Sequence, residues 1–146
     1  MIRAHLDAVL ALLAPLTVPP ASMLVRDGTV DDESHPVTAT APPATPYVVV
    51  STDSMPMRGD RLADWSSILD GLLYVTCVGS DRREAQWAQE KTRALLLDVR
   101  PTVAGRSCWS LKLVDGDPMR PDRDVTPPVL VAVDVYRLAS TPGPAA

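Results

Sequence analysis

The chain has few side chains of the types that carry catalysis, and their spacing matches no common active site. Its only histidines are His5, beside the apolar face of a predicted helix, and His35, which precedes Pro36 in a polar segment. No serine stands in a Gly-x-Ser-x-Gly motif, and no glycine-rich phosphate loop is present. An enzyme needs acid, base or nucleophilic groups held on rigid elements. The sequence therefore predicts a protein that is not an enzyme and binds no cofactor.

Metal and redox chemistry have equally weak candidates. Cys77 and Cys108 belong to no CxxC pair, and no cluster of histidine and cysteine has zinc spacing. Cys77 falls in a predicted strand and Cys108 at the start of another, which favours small buried hydrophobic side chains, although their spacing leaves a disulfide open. The aspartates of segment 115–124 alternate as calcium ligands do, but prolines and arginines interrupt them, so a solvated turn is favoured. The tripeptide Arg58-Gly59-Asp60 resembles a cell-adhesion motif, and a plain loop is its default interpretation.

Length and charge predict one domain that does not grip nucleic acid. The chain has 146 residues, a formal net charge of −4 and no basic run, whereas phosphate binding needs clustered lysine and arginine. The apolar stretch of residues 9–16 is too short to span a membrane. Fifteen prolines mark the linkers. We assign residues 1–139 to a single domain containing an extended segment at 27–45, followed by a flexible C-terminal tail at 140–146.

Hydrophobic periodicity predicts two helices and five strands. The first helix covers residues 2–13, and the second begins at a capping box formed by Asp81 and Glu84 and ends at Arg100-Pro101. One helical turn is expected near 62–69. The predicted strands cover residues 22–26, 47–51, 72–78, 109–114 and 129–138. The order αβββαββ indicates an α+β fold, a mixed or antiparallel sheet with both helices on one face. The last strand is apolar on both faces except Asp134, for which an arginine partner is expected.

The segment between the first two strands is long and polar, which is rare in a compact domain unless the segment has a function. We interpret it as an arm that contacts a neighbouring molecule, with Asp31, Asp32, Glu33 and His35 as candidate contact residues. The loop that follows contributes two further candidates, Arg58 and Asp60.

Trp87 is the main candidate for a contact on the second helix. It lies away from the face that carries Ala85, Ala88, Thr92, Leu95, Leu96 and Val99, which is expected to cover the sheet. Ala94 and Leu97 fall on the side of Trp87 and extend it to an apolar patch among polar residues. Either a partner or another element of this chain covers such a patch. Trp65, in the loop before the third strand, poses the same question.

Several runs resemble the tail terminator (tail completion or minor tail) proteins of long-tailed bacteriophages, the siphophages. They are Val25-Arg26-Asp27-Gly28-Thr29-Val30, Pro46-Tyr47-Val48-Val49-Val50-Ser51, Leu73-Tyr74-Val75-Thr76-Cys77-Val78-Gly79 and Val133-Asp134-Val135-Tyr136-Arg137-Leu138. The resemblance implies a virion protein of the head–tail neck, assembled in the host cytoplasm. It also implies a homo-oligomeric ring, usually a hexamer, that caps the head-proximal end of the tail tube and docks the head connector. DNA would pass through its lumen without sequence-specific contacts.

Two other functions fit the same sequence. The first is a head-completion or connector adaptor of the same neck, which would share the symmetry but contact the portal side. The second is a non-viral ligand-binding α+β domain, which would be monomeric or dimeric and contain a concave apolar pocket. Assembly with the tail tube protein separates these alternatives.

Overall fold

One mixed sheet carries two α-helices on one of its faces. The computed structural model describes residues 2–19, 21–27, 46–53, 57–58, 68–123 and 128–143, and the side chains of all of these except 57 and 58. The helices are α1 (Ile2–Leu13), followed by a 3-10 turn (Ala14–Thr17), and α2 (Arg82–Leu96). The strands are β1 (Leu24–Asp27), β2 (Tyr47–Thr52), β3 (Met57–Arg58), β4 (Ile68–Gly79), β5 (Arg106–Cys108), β6 (Lys112–Asp122) and β7 (Val129–Pro142).

The long strands β4 and β7 form the centre of the sheet. Their antiparallel ladder runs without a break from Leu69 opposite Ser140 to Gly79 opposite Leu130. Outward from β4 lie β2 and then β1, and outward from β7 lie β5 and β6, which follow one another along the same edge. The pairing of β1 with β2 is parallel and the other pairings are antiparallel. The sheet is therefore mixed, as predicted.

The main core lies between the sheet and the two helices. Alternation along β4 points its odd-numbered side chains at the helices, because successive residues of a strand face opposite sides. The apolar faces of both helices meet them there. The buried members of this cluster are Leu6, Val9, Leu13, Leu16, Met23, Val48, Val50, Leu69, Leu73, Val75, Cys77, Ala88, Leu96, Leu111, Tyr136 and Leu138. A smaller buried cluster on the opposite face consists of Tyr47, Val49, Val78 and Val129.

The predicted start of α2 is confirmed. The Asp81 side chain accepts a hydrogen bond from the Glu84 backbone N–H at 2.8 Å, as an N-cap should. The Glu84 carboxylate reaches back one residue further than in a standard capping box, to the Ser80 backbone N–H at 3.0 Å. The predicted end at Arg100-Pro101 is wrong, since α2 ends at Leu96. The Asp98 N–H donates instead to the Leu111 carbonyl at 2.9 Å, with Asp98 at a positive φ of 63°.

The acidic segment 115–124 was predicted as a solvated turn, and this is wrong for its first eight residues. They belong to β6, which pairs with β7 as far as Asp122 opposite Val129. Register shifts between Leu113 and Asp115 and between Asp117 and Arg120 accommodate the irregular sequence. Proline is tolerated there because β6 lies at the edge of the sheet. Of the predicted strand 109–114, only residues 112–114 lie in a strand, at the start of β6. Trp109 belongs to neither β5 nor β6.

Three other boundaries differ from prediction. The strand β7 continues to Pro142 with Ser140 fully buried, so residues 140–142 are not a flexible tail. Ile68 and Leu69 begin β4 rather than ending a helical turn. The observed order within the described residues is αββββαβββ, two strands more than predicted. The arm at 28–45 lies outside the described residues.

Candidate interaction surfaces

The first candidate surface is an open groove beside the N-terminal half of α2, which we call the Trp87 groove. Its volume is about 440 Å³, and it is lined by Pro46, Asp81, Arg83, Glu84, Gln86, Trp87 and Glu90. Trp87 is half-buried and packs against the main core cluster, so its own chain covers part of the ring. The Lys91 ammonium lies 5.9 Å from the centroid of the same ring. The ring therefore offers both apolar area and a surface that attracts cations.

Of the predicted apolar patch, Trp87 lines the groove, whereas Ala94 and Leu97 do not. Ala94 and Leu97 are exposed, Leu97 to 43%, so both are available for a contact. Its own chain half-buries Trp87, and contact with a partner stays a prediction. Of the predicted contact residues, only these three have described side chains. Trp65, Asp31, Asp32, Glu33, His35 and Asp60 lie outside the described residues, and of Arg58 only the backbone, in β3, is described.

The electrostatics of the Trp87 groove favour a positively charged ligand. Three carboxylates line it against the guanidinium of Arg83, and the Lys91 ammonium beside the Trp87 ring adds a second positive charge, which leaves a net charge of −1. Asp81 already accepts a hydrogen bond from the Glu84 backbone N–H, and Glu84 accepts one from the Ser80 backbone N–H. Glu90 is exposed and forms no ion pair or hydrogen bond with any described residue. Glu90 is therefore the carboxylate that is free to bind an incoming cation.

A buried carboxylate fixes the position of α2 on the sheet. Asp134, in the centre of β7, is 1% exposed and accepts hydrogen bonds from Arg93 Nε at 2.7 Å and Arg93 Nη2 at 2.8 Å. The Gln89 amide donates a third bond at 2.8 Å. The hydrogen bonds to Asp134 raise the pKa of Arg93 above its ordinary value. The expected arginine partner is confirmed, and it comes from the same chain.

A second buried polar cluster joins the two ends of the chain. His5 of α1 and Ser140 of β7 lie 2.7 Å apart, measured from His5 Nε2 to Ser140 Oγ. Arg106 of β5 donates from Nε to the same Oγ at 2.9 Å and from Nη2 to the Ser140 carbonyl at 2.8 Å. His5 and Ser140 are fully buried. These hydrogen bonds form a structural clamp that fixes α1 to β7, because each polar group is engaged by another group of the cluster.

An exposed tryptophan that was not predicted as a contact residue lies on the face of the sheet away from the helices. Trp109 is 47% exposed, and the Arg137 guanidinium lies 5.2 Å from its ring centroid. Asp70 binds that guanidinium with two hydrogen bonds of 3.0 and 2.8 Å. The triplet forms only because β4 and β7 place Asp70 and Arg137 on one face, so no local sequence signal marks it.

Neither cysteine is suited to reactivity. Both are buried and free. Burial raises the pKa of the Cys77 thiol from 9.0 to about 12, and it also raises the pKa of Cys108. The thiolate, which is the reactive form, is thus disfavoured at both positions. Among the described residues no group of three or more histidine, cysteine, aspartate or glutamate side chains could hold a metal ion. No described helix is long and apolar enough to cross a membrane.

Comparison with known proteins finds solved structures of similar fold but no match by sequence. No protein-family model and no curated protein sequence matches the chain. A chain of a solved structure, the virion of the native gene transfer agent (GTA) particle, matches with a TM-score of 0.63 and 13% identity, covering 92% of each chain. A second solved chain, which carries no descriptive name, matches with a TM-score of 0.60 and 17% identity, covering 97% of this chain and 93% of the other. At such identities the similarity establishes the shared fold.

Proposed function

We propose that this protein is a structural component of a phage-type virion, and specifically a tail terminator. In this role a ring of copies, expected to be a hexamer, caps the head-proximal end of the tail tube. The observation that carries the proposal is the fold similarity to a chain of a gene transfer agent virion, which is a phage-like particle. The similarity covers 92% of both chains, so it concerns the whole domain rather than a common supersecondary motif.

The sequence resemblance narrows the role within the virion. The described parts of the runs that resemble tail terminators fall on β1, β2, β4 and β7, which are neighbouring strands of the sheet. The polar side chains with the best-defined geometry serve packing: Asp134 holds α2, and Ser140 holds α1. Described polar groups that are engaged in this way hold the fold together, which suits assembly rather than chemistry.

Termination follows from the geometry of a repeating tube. A tube presents the same interface at each layer, and a contact between two different surfaces of a subunit can propagate without limit. A ring that matches the tube on one side and presents a different surface on the other ends the series. That second surface would dock the head connector, and the lumen would remain open for DNA. The exposed aromatic residue Trp109 lies on the face of the sheet away from the helices and suits one of these two contacts.

The mass of the purified protein tests the proposal. Light scattering, alone and after addition of the tail tube protein from the same genome, should show a six-subunit species or one that forms only with tubes. A species that assembles with the portal-side proteins and ignores tubes would instead identify a connector adaptor. A monomer that is indifferent to both would contradict a role in the neck and favour a ligand-binding domain.

A further inference from the structure

The Trp87 groove and the C-terminal end of β6, with Arg123 directly after it, carry complementary chemical features. We propose that Arg120 and Arg123 of one copy dock into the Trp87 groove of the next copy, with Glu90 as the principal ion-pair partner. The inference rests on the proposed ring and names the contact between its neighbouring subunits. It is a contact between two different surfaces, which is the type that closes a ring.

The groove supplies the acceptor side of this contact. It contains an aromatic ring that attracts cations, and its charged groups, with the nearby Lys91 ammonium counted, sum to −1. A guanidinium combines a flat apolar face with fixed donors, so it can stack on tryptophan while it hydrogen-bonds a carboxylate. Glu90 is the lining carboxylate that no described residue engages. An arginine side chain therefore fits the groove better than a neutral or acidic one.

The end of β6 supplies the donor side. Arg120 and Arg123 are both exposed, and neither forms an ion pair or hydrogen bond with a described residue. Other arginines on the two faces of the sheet, such as Arg93 and Arg137, are engaged by aspartates of this chain. Pro121 lies between the two free arginines and restricts the backbone there, which lowers the entropy lost when they are bound.

Sheet register places the two surfaces at the same level. One row of paired residues crosses four strands, from Tyr47 to Val78, then to Val131, and then to Arg120. Pro46, which lines the groove, directly precedes the first of these residues. The row spans about 14 Å, because neighbouring strands lie roughly 4.8 Å apart. Pro46 and Arg120 thus lie at one level near opposite edges of the sheet, which lets the groove of one copy meet the β6 end of the next in a ring.

A charge-swap experiment tests this contact. Glu90→Arg and Arg123→Glu should each weaken self-association by about tenfold, since each replaces an attraction with a repulsion. The double variant carrying both changes restores the pair at every interface of the ring and should recover wild-type mass within about threefold in affinity. Sedimentation velocity at low and high salt measures the association, and the wild-type affinity should fall as salt rises. Arg100→Glu, an exposed reversal far from both surfaces, is the matched control.

Disulfide trapping gives an independent readout. Glu90→Cys protein mixed with Arg123→Cys protein should form a cross-linked dimer under mild oxidation, whereas neither variant should do so alone. The buried Cys77 and Cys108 are not expected to compete. Thermal melting checks that each variant is folded.

The outcomes separate this inference from the proposed function. A wild-type ring that tolerates both charge reversals and gives no mixed disulfide would overturn the Trp87–Arg123 contact and leave the ring standing. Reversals that spare the ring but abolish binding to the tube protein would overturn the contact between copies and assign the groove to the tube. A wild-type protein that never assembles would overturn both.

Discussion

Replacing Arg93 with methionine tests whether the buried Asp134 carboxylate depends on its cation. The change removes two of the three described hydrogen bonds to a side chain that is fully shielded from solvent. Breaking a buried ion pair from one side costs about 3–5 kcal/mol. The Arg93 side chain is itself 41% exposed, so water reaches part of the gap and the expected loss is about 2–3 kcal/mol. That corresponds to a fall of roughly 5–10 °C in the melting temperature.

A double-mutant cycle separates the ion pair from the packing around it. Asp134→Val should cost only about 1 kcal/mol, because the guanidinium left behind can reach water. The double variant Arg93→Met/Asp134→Val should be about as stable as Asp134→Val alone, which gives a coupling energy of about 2 kcal/mol. Urea unfolding followed by circular dichroism measures the four proteins. Arg82→Met, an exposed change on the same helix, should stay within about 0.5 kcal/mol of wild type. Additive effects, or an Arg93→Met loss below that control range, would refute the assigned role of the pair.

Three further changes probe other parts of the fold. Gly79→Ala should lower the free energy of unfolding in urea by at least about 2 kcal/mol, because its Cβ would lie 2.5 Å from the Ala85 backbone nitrogen. The control Gly116→Ala meets nothing closer than 3.4 Å, and equal losses for the two variants would contradict this. Ser140→Ala should cost roughly 2 kcal/mol by leaving two buried donors or acceptors unpaired, and an unchanged melting temperature would argue against the clamp. Stability should be constant with respect to Cys77 ionisation below pH 9 and fall between 9 and about 12, since the unfolded thiol loses its proton first. The Cys77→Ala variant should show a shallower fall over that range, and an identical pH profile would contradict the raised pKa.

Local signals predicted the helices and the central strands well. The bounds of α1 are those that its apolar spacing indicated, because proline at position 15 stops an α-helix and the chain continues as a 3-10 turn. The start of α2 was set by the capping preference of Asp81. The need of Asp134 for a cation was also readable, because an isolated carboxylate cannot be buried in an apolar strand.

Pairing with distant residues decided what the local signals missed. The segment 115–122 is rich in aspartate, proline and glycine and has the composition of a turn, yet it forms most of β6. Its only strand neighbour among the described residues is β7, and two register shifts absorb the residues that do not fit. Pairing with a distant strand also extends β7. Its last residues, through Pro142, form three pairs with β5. Edge strands are poorly predicted by composition because one side of their backbone needs no partner.

The sequence predicted a contact surface on α2, but it did not predict all of the residues that form the candidate surfaces. An aromatic residue among charged ones on α2 pointed to Trp87 from the sequence. The full lining of the Trp87 groove was not predictable, because Pro46, which directly precedes β2, reaches the groove from outside α2. Likewise Trp109 acquires its stacked arginine only through the register of β4 and β7. Such surfaces are properties of the assembled sheet.

The most direct test of a tail terminator is electron microscopy of tubes assembled with and without this protein. Tail tube protein polymerised with gold-labelled protein at low molar ratio should give shorter tubes, with label at one end of each tube and nowhere along its length. Subunits carrying Glu90→Arg should leave the length distribution of the tubes close to that without the protein. Label spread along the tubes, or an unchanged length distribution with the wild-type protein, would contradict the proposed function.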